Sequence, residues 1–485
     1  MASRHPAPAG GRRPAYVIAG FIALAIVSFA LARPYYPRTW PLDFAAFYCA
    51  GASVASHHDP YRTEPLRTCE NETRGYPAGS GFQFALPAPL PGYSLAPFVA
   101  LSRVPYRAAV CIWAAILFAC FVLTVTLMRR LSDLRVETLV AAFLLQAMLA
   151  NFLGQIVPVV CAAAVAAGFL LSRGRDRAAA CAATLTMLEP HLGLPVCLAL
   201  FIARPRSRAV LAAGGAALAA LSFALLGVDW NIEYLRDVLP AHALSEIAND
   251  QQYSLTYLAH LAGLGERASV ALGTLSYIAM LGLGIAGGRV AYARTGKSAL
   301  LVLVPPAFAI LGGTFVHVTQ LAIAVPAALV LCGARIPQAR YFAVAVFLLA
   351  VPWDALKFLS LNVPVLAGVT LILAIDLFEI SPALGAVVSA AATSLAVALW
   401  GLLPSIPGVP VGPVDPREGA ALAEIGWRAA VEGNFRASFV ENTIAKLPGW
   451  CGLLLIASAT LRLRHFPSPA RVPVVEPRRA VSGRE

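Results

Sequence analysis

Apolar runs of bilayer-crossing length, closed repeatedly by clusters of arginine, restrict this chain more than any other feature. Tyr106 to Met128 is almost wholly apolar and ends at Arg129, Arg130 and Arg135, and Gln155 to Ser172 leads into Arg173, Arg175 and Arg177. About 20 apolar residues are what a helix needs to cross hydrocarbon, where every backbone N–H and C=O must be bonded inside the span. The composition agrees: of 485 residues, 59% are hydrophobic and 13% charged, with a mean hydropathy of +0.72. The expected fold class is therefore an all-α polytopic integral membrane protein, and a soluble globule is excluded.

The arginines also orient the spans, because basic loops stay on the cytoplasmic side. Arg4, Arg12 and Arg13 precede an apolar run from Ala15 to Ala32. Ala30-Leu31-Ala32 resembles a signal-peptidase site, but the run is long for a signal core and is followed by Arg33-Pro34, so a retained first span is expected. This predicts a cytoplasmic N-terminus (1–14), a multi-span domain (15–463) whose first external loop covers 33–105, and a cytoplasmic basic tail (464–485). Residues 178–203 form one apolar run with arginines at both ends and Glu189-Pro190-His191 in its middle. Both ends belong on the basic side, so the run is expected to be a hairpin of two short helices with an ionisable tip, which inside a membrane must line a cavity. The same logic turns the pair 298–333 outward near Thr314 to Thr319, and puts external loops at 228–267 and 404–448. The net charge of +12 is then an orientation signal and an attraction to anionic lipid; it gives no reason to expect nucleic acid as a partner. Nine cysteines show no metal-ligand spacing; only Cys49 and Cys69 share a loop, where an oxidising compartment would let them pair.

Within the first external loop, Pro41 to Tyr61 reads as a short amphipathic, interfacial helix ended by Pro60. Phe44, Phe47, Tyr48, Gly51, Val54 and Ala55 recur at helical spacing, with Asp43, Ala46, Ala50, Ser53 and His57 on a neighbouring face. The small residues leave room above Asp43. Asp is also a favoured helix N-cap, so a capping role stays open beside a functional one. Phe82 to Leu101 carries four prolines and reads as a broken, membrane-dipping segment. On the predicted outer side Asp43 joins the Glu189-Pro190-His191 tip, His317 and Gln155; each alone could be an interfacial or helix-end residue.

These ordered features resemble the polyprenol-phosphate-dependent glycosyltransferases of the GT-C class, and among them glycosyltransferase family 87. Asp43-Phe44-Ala45-Ala46-Phe47-Tyr48-Cys49-Ala50 and Asp59-Pro60-Tyr61 are similar to the family's D-F-x-x-[FY]-Y-x-A and D-P-Y segments. Phe84 to Leu90 with Leu95-Ala96-Pro97-Phe98 is similar to its proline-rich run, Gly154-Gln155 to its G-Q step, the 173–208 hairpin to its arginine-rich hairpin, and the stretch around His317 to its later histidine segment. One residue departs: Glu189 stands where the family usually has a lysine before proline.

The resemblance implies a GT-C-like bundle that moves a hexose, mannose first, from a polyprenyl-phosphate sugar to a periplasmic or lipid-linked acceptor, with inversion. It implies Asp43 as general base, and His317, His191, His57, Arg62 and Arg67 as candidates for the donor phosphate. Gln155, Glu189, Asp59 and Tyr48 complete the expected site. No cofactor or metal is implied, since the lipid-linked donor is itself the substrate. The implied partners are that donor, a lipid or glycan acceptor and the bilayer, in a bacterial inner membrane with both termini cytoplasmic and the active site facing the periplasm. A transporter or flippase, and a noncatalytic relative favoured by Glu189, are the alternatives.

Overall fold

The computed structural model describes residues 41–247, 249, 251–355, 363–402, 411–413, 419–434 and 439–465. The expected first span and the basic tail past residue 465 lie outside the described residues. The chain is an all-α polytopic membrane protein: among the described residues six helices are long and apolar enough to cross a bilayer. The departure from all-α is a ribbon of two three-residue strands.

The external segment opens with α1 (Leu42–Ala55) and α2 (Thr63–Thr73), tied by a Cys49–Cys69 disulfide. Strand β1 (Ser80–Phe82) follows, and then α3 (Gly92–Leu101). The α1 helix is not the interfacial amphipath expected from its spacing. Phe44, Ala45, Ala46, Phe47, Cys49, Ala50, Gly51, Ser53 and Val54 are all buried, because α2 and α3 cover the faces that spacing alone would leave to lipid headgroups or water. Nor does Pro60 end it. His58 N donates to Ser53 O and His57 N to Val54 O, with His57 in the left-handed region at φ 56°, which closes the helix five residues earlier. The proline-rich segment is broken, as expected: residues 83–91 form no regular element, and the ten-residue α3 starts after Pro91. The Asn71 side chain is buried and bonded at both ends to the Phe82 backbone, at 3.0 Å each.

Next come α4 (Tyr106–Ser132), α5 (Val136–Leu153) and α6 (Val157–Ser172). The expected hairpin is present. Helix α7 (Asp176–Leu185) ends in a single 3₁₀ turn, the chain is extended at Glu189, and α8 (Pro190–Ala203) returns. Arg204 Nε lies 4.0 Å from Asp176, so the two ends of the hairpin meet. Helix α9 (Arg208–Glu233) is broken at Gly227, where its hydropathy predicts the span to end: the residue is non-helical, at φ 65° and ψ −167°. A second arm then runs from residue 228 through a π turn into α10 (Leu239–Ser245), in a stretch expected to be loop. After α11 (Leu255–Leu261) and the long α12 (Glu266–Thr295) comes α13 (Leu300–Gly312), buried along nearly its whole length. It is the central post of the bundle, packed by α6, α8 and α12.

A 3₁₀ helix (Val318–Ala324) leads into α14 (Val325–Cys332), followed by α15 (Ala339–Leu349), α16 (Val363–Phe378) and α17 (Pro382–Leu402). Strand β2 (Val411–Pro413) then pairs antiparallel with β1, and the chain ends in α18 (Ala423–Asn434) and α19 (Phe439–Arg462). The basic clusters gather at one end of this bundle. Lys297 Nζ donates to Leu131 O at 3.1 Å and Arg294 to Arg464 O at 2.9 Å.

Away from that basic cluster, α1 is set on the C-terminal end of α5 by a nest of rings. Phe44 stacks on Trp113 with centroids 6.1 Å apart and meets Phe98 edge-on at 6.2 Å, while Trp113 Nε1 donates to Gly154 O at 2.9 Å. Gly154 ends α5 at φ 79°, and a Cβ there would overlap that of Phe44. Gly154→Ala therefore combines a strained backbone with a steric clash. It is expected to destabilise the protein by about 2–4 kcal/mol, read as a drop in thermal unfolding temperature in detergent or lipid.

Candidate active site

Asp43 lies in the first turn of α1, where its carboxylate makes no cap: the helix opens at Pro41 without a side-chain cap. Instead Asp43 Oδ2 accepts a 2.5 Å hydrogen bond from Gln155 Nε2, the first residue past the α5 terminus. Its neighbours in the helix, Ala46 and Ala50, are small, as the sequence pattern suggested, and Asp43 keeps some accessible surface. It nevertheless lies deep enough in the protein for desolvation to push its carboxyl up to about 7; the Gln155 bond pulls the other way, and the charge of Glu246 adds to the rise.

His317 stands at the end of the extended stretch that follows α13. There the chain pairs across a short antiparallel bridge with Gln252: Tyr253 N donates to Val316 O at 2.7 Å and Val316 N to Gln252 Oε1 at 2.7 Å. His317 caps the 3₁₀ helix together with Gln320, whose Oε1 accepts from His317 N at 3.0 Å. Two carboxylates reach this histidine from different sides. Gln320 Nε2 donates to Glu189 Oε2 at 3.2 Å, and Glu246 Oε2 lies 3.7 Å from His317 Nε2. Phe315 is flanked by the rings of His191, 5.2 Å away, and His242, 5.1 Å away and edge-on. Beside them a cleft of about 120 Å³ is lined by His191, Tyr277, Thr314 and Phe315.

The structure thus brings together Asp43, Gln155, Glu189, His191 and His317. The other sequence candidates stand elsewhere. Tyr48 donates to Val104 O at 3.0 Å, and His57 forms the exposed helix end. Asp59 accepts from Tyr61 N and Arg62 Nε, and Arg62 also pairs with Glu233 and reaches Ala420 O. Arg67 is fully buried, with Glu64 at 2.8 Å and Gln83 O at 2.9 Å. Tyr48, Asp59, Arg62 and Arg67 thus hold this segment in shape and against its neighbours, while His57 stands exposed at the helix end.

Sequence reasoning missed Glu246, Gln252, Gln320, His242 and Trp427. Glu246, Asn249 and Gln252 recur every third residue in an external loop, the one pattern that could have drawn attention to them. The desolvation that would raise Glu246 is overcome by His317 and His242 and by the bonds from Trp427 and Gln252, which hold it below its usual range. Trp427 comes from α18, some 180 residues later, with its Nε1 donating to Glu246 Oε1 at 2.7 Å.

A site of carboxylates and histidines, built where helices break at one end of a membrane bundle, suits proton transfer beside an anionic group. Residues 91–311 match the family model described as glycosyltransferase family 87. Over that stretch, somewhat under half of the chain, the protein is similar to the membrane glycosyltransferases of family 87. The match runs from the end of the proline-rich segment to the last turn of α13 and contains Gln155, Glu189, His191 and Glu246, while Asp43 and His317 lie outside it. No curated protein matches the chain.

The raised Asp43 carboxyl has a consequence for stability. Its folded value, about 7, exceeds the usual carboxylate range, so between pH 4 and 7 the folded state holds a proton that the unfolded chain has lost. Stability contributed at this position is therefore present at low pH and lost as pH rises toward 7. Asn carries no such proton. The stability of Asp43→Asn relative to wild type should rise across that window, by on the order of 1–3 kcal/mol once solvent access to the carboxyl is allowed for, and level off above it. Parallel unfolding curves at pH 5 and pH 8 measure the change.

Proposed function

We propose that this protein is a glycosyltransferase that moves a hexose, with mannose the first candidate, from a polyprenyl-phosphate sugar to a periplasmic or lipid-linked acceptor, with inversion at the anomeric carbon. The observation that carries the reading is the pairing of one buried-side carboxylate, Asp43 held by Gln155, with the histidine group at His317 around the same cluster. In this reading Asp43 is the general base. An acceptor hydroxyl oxygen attacks the anomeric carbon while Asp43 takes its proton, and the bond from that carbon to the phosphate oxygen breaks, its electron pair leaving with prenyl phosphate.

Charge must be neutralised where that phosphate departs. His317 is the leading group for this, with His191 beside it. Asp59, Arg62 and Arg67 are tied into the external segment and support its shape instead. Glu189, at the place where a lysine is usual in the family, brings a carboxyl bonded to Gln320 in place of a cation, so neutralisation of the phosphate falls to the histidines. The apolar donor needs a site open to the bilayer as well as to water, and a cluster of helix breaks at one end of a membrane bundle provides that. We place this end at the periplasmic face of a bacterial inner membrane and the basic end in the cytoplasm.

The test is to reconstitute the protein in lipid, add polyprenyl-phosphate sugars and acceptor lipids, and measure released prenyl phosphate. Release is expected from wild type. Asp43→Asn should lower it by about two orders of magnitude or more, the range for loss of a general base, and His317→Ala should lower it while the protein still inserts and folds. Near wild-type transfer by Asp43→Asn would return Asp43 to a structural role. No release from any sugar offered would favour a noncatalytic relative, with Glu189 as the residue to revert first.

A further inference from the structure

Glu246 is a buried charge that the transfer step above does not use. It is 3% exposed, and its carboxylate is held by three neutral donors: Trp427 Nε1 at 2.7 Å, Asn249 Nδ2 at 2.7 Å and Gln252 Nε2 at 2.9 Å. A buried carboxylate kept by neutral donors alone is costly, and a glutamine of the same shape would remove that cost. Something must make use of the charge. The nearest cationic candidate is His317, whose Nε2 lies 3.7 Å from Glu246 Oε2. Gln252 connects the two: its Oε1 accepts from Val316 N, which fixes the amide, so its Nε2 faces both Glu246 Oε2 and, at 3.2 Å, His317 Nε2.

We propose that Glu246 is a positioning residue of the sugar-transfer site, holding the His317 ring, directly and through Gln252, at the place where the leaving phosphate forms. The proposal rests on the reading of Asp43 and His317 given above and assigns the part of a residue that reading leaves idle. Helix α18 belongs to the device, because Trp427 sets one oxygen of Glu246 while Gln252 and Asn249 set the other.

Glu246 also acts on Asp43 across the cluster, since its negative charge opposes ionisation of that carboxylate. The charged and titratable groups around the pair come from several elements. Asp43 interacts with Glu246 and Glu189, and Glu246 with His317, His242 and Glu424. Helix α2, packed on α1, carries Arg67 with Glu64 and Arg74 with Glu70 as pairs of its own, and α3 contains no Asp, Glu, Lys or Arg. Removing the charge of Glu246 thus takes away a negative neighbour of Asp43. The base then ionises at lower pH.

The experiment is a pH–rate profile of prenyl phosphate release by full-length protein in lipid, for wild type, Glu246→Gln, Glu246→Asp and Trp427→Phe. Glu246→Gln should lower turnover about ten- to a hundredfold, the scale of a misplaced reacting group, and move the acid limb of the profile to lower pH. Glu246→Asp keeps the charge, so its limb should stay nearer the wild-type position while turnover remains reduced. Trp427→Phe, which keeps the ring and removes the N–H, should reduce turnover less, with the limb in place. Wild-type turnover in Glu246→Gln, or a loss with the limb unmoved, would overturn the proposal. If Glu246→Gln fails to fold, wild-type turnover in both other variants does the same. Loss of transfer in Asp43→Asn beside a normal Glu246→Gln sinks this inference alone, whereas a wild-type protein that releases no prenyl phosphate takes both readings down together.

Discussion

A backbone that leaves its helix inside a bilayer must find partners for the N–H and C=O groups it frees, and this requirement organises the molecule. The chain meets it by turning its helix breaks toward one another. Gln155 follows the end of α5, Glu189 separates the two arms of the α7–α8 hairpin, Glu246 and Gln252 follow α10, and His317 ends the extended stretch after α13. The short bridge between Gln252 and His317 bonds backbone that would otherwise stand open. The same residues that close these breaks are the ones that can do chemistry, so the site forms where helices end and backbone groups need partners.

The external segment enters this arrangement through a single side chain, Asp43. Its disulfide, the Arg62–Asp59 and Arg67–Glu64 pairs and the buried Asn71 fold 41–101 into a rigid piece that delivers one carboxylate, Asp43, to the end of α5. The ring nest around Phe44 and the missing side chain of Gly154 then set how closely α1 approaches. Asp43 differs from the other site residues in coming from the first turn of a helix, and its hydrogen bond to Gln155 crosses from the external piece to the bundle. This is why a helix that looked interfacial by its spacing is buried: it is a lid element, covered on several faces.

The departure at Glu189 also takes its meaning from packing. In isolation a glutamate in place of a lysine reads as a lost phosphate ligand. Held by Gln320, which in turn caps the helix after His317, it is a link between the hairpin tip and the histidine segment. The cluster therefore holds Asp43, Glu189 and Glu246 as its carboxylates, with the rings of His191, His242 and His317 set among them.

The sequence by itself determined the class of the molecule, its spans and the hairpin, because hydrocarbon imposes length and apolarity on any segment that crosses it, and arginine clusters record which ends lie together. It also singled out Asp43, Gln155, Glu189, His191 and His317, since a polar residue at a break in an apolar run is costly enough to show against its background. Only the tertiary structure separated these from Tyr48, Asp59, Arg62 and Arg67, whose groups are engaged by partners away from the cluster, and from His57, which stands exposed at the end of α1. It alone found Glu246 and Trp427. They lie in polar external loops, where a carboxylate or an indole leaves no local signal, and their meeting across some 180 residues depends on how α18 packs over the site. The helix past residue 227 escaped notice for a related reason: hydropathy marks where a chain leaves lipid, as it does at the non-helical Gly227, whereas the more polar residues beyond it form helix again as far as Ser245 because their backbone is bonded there.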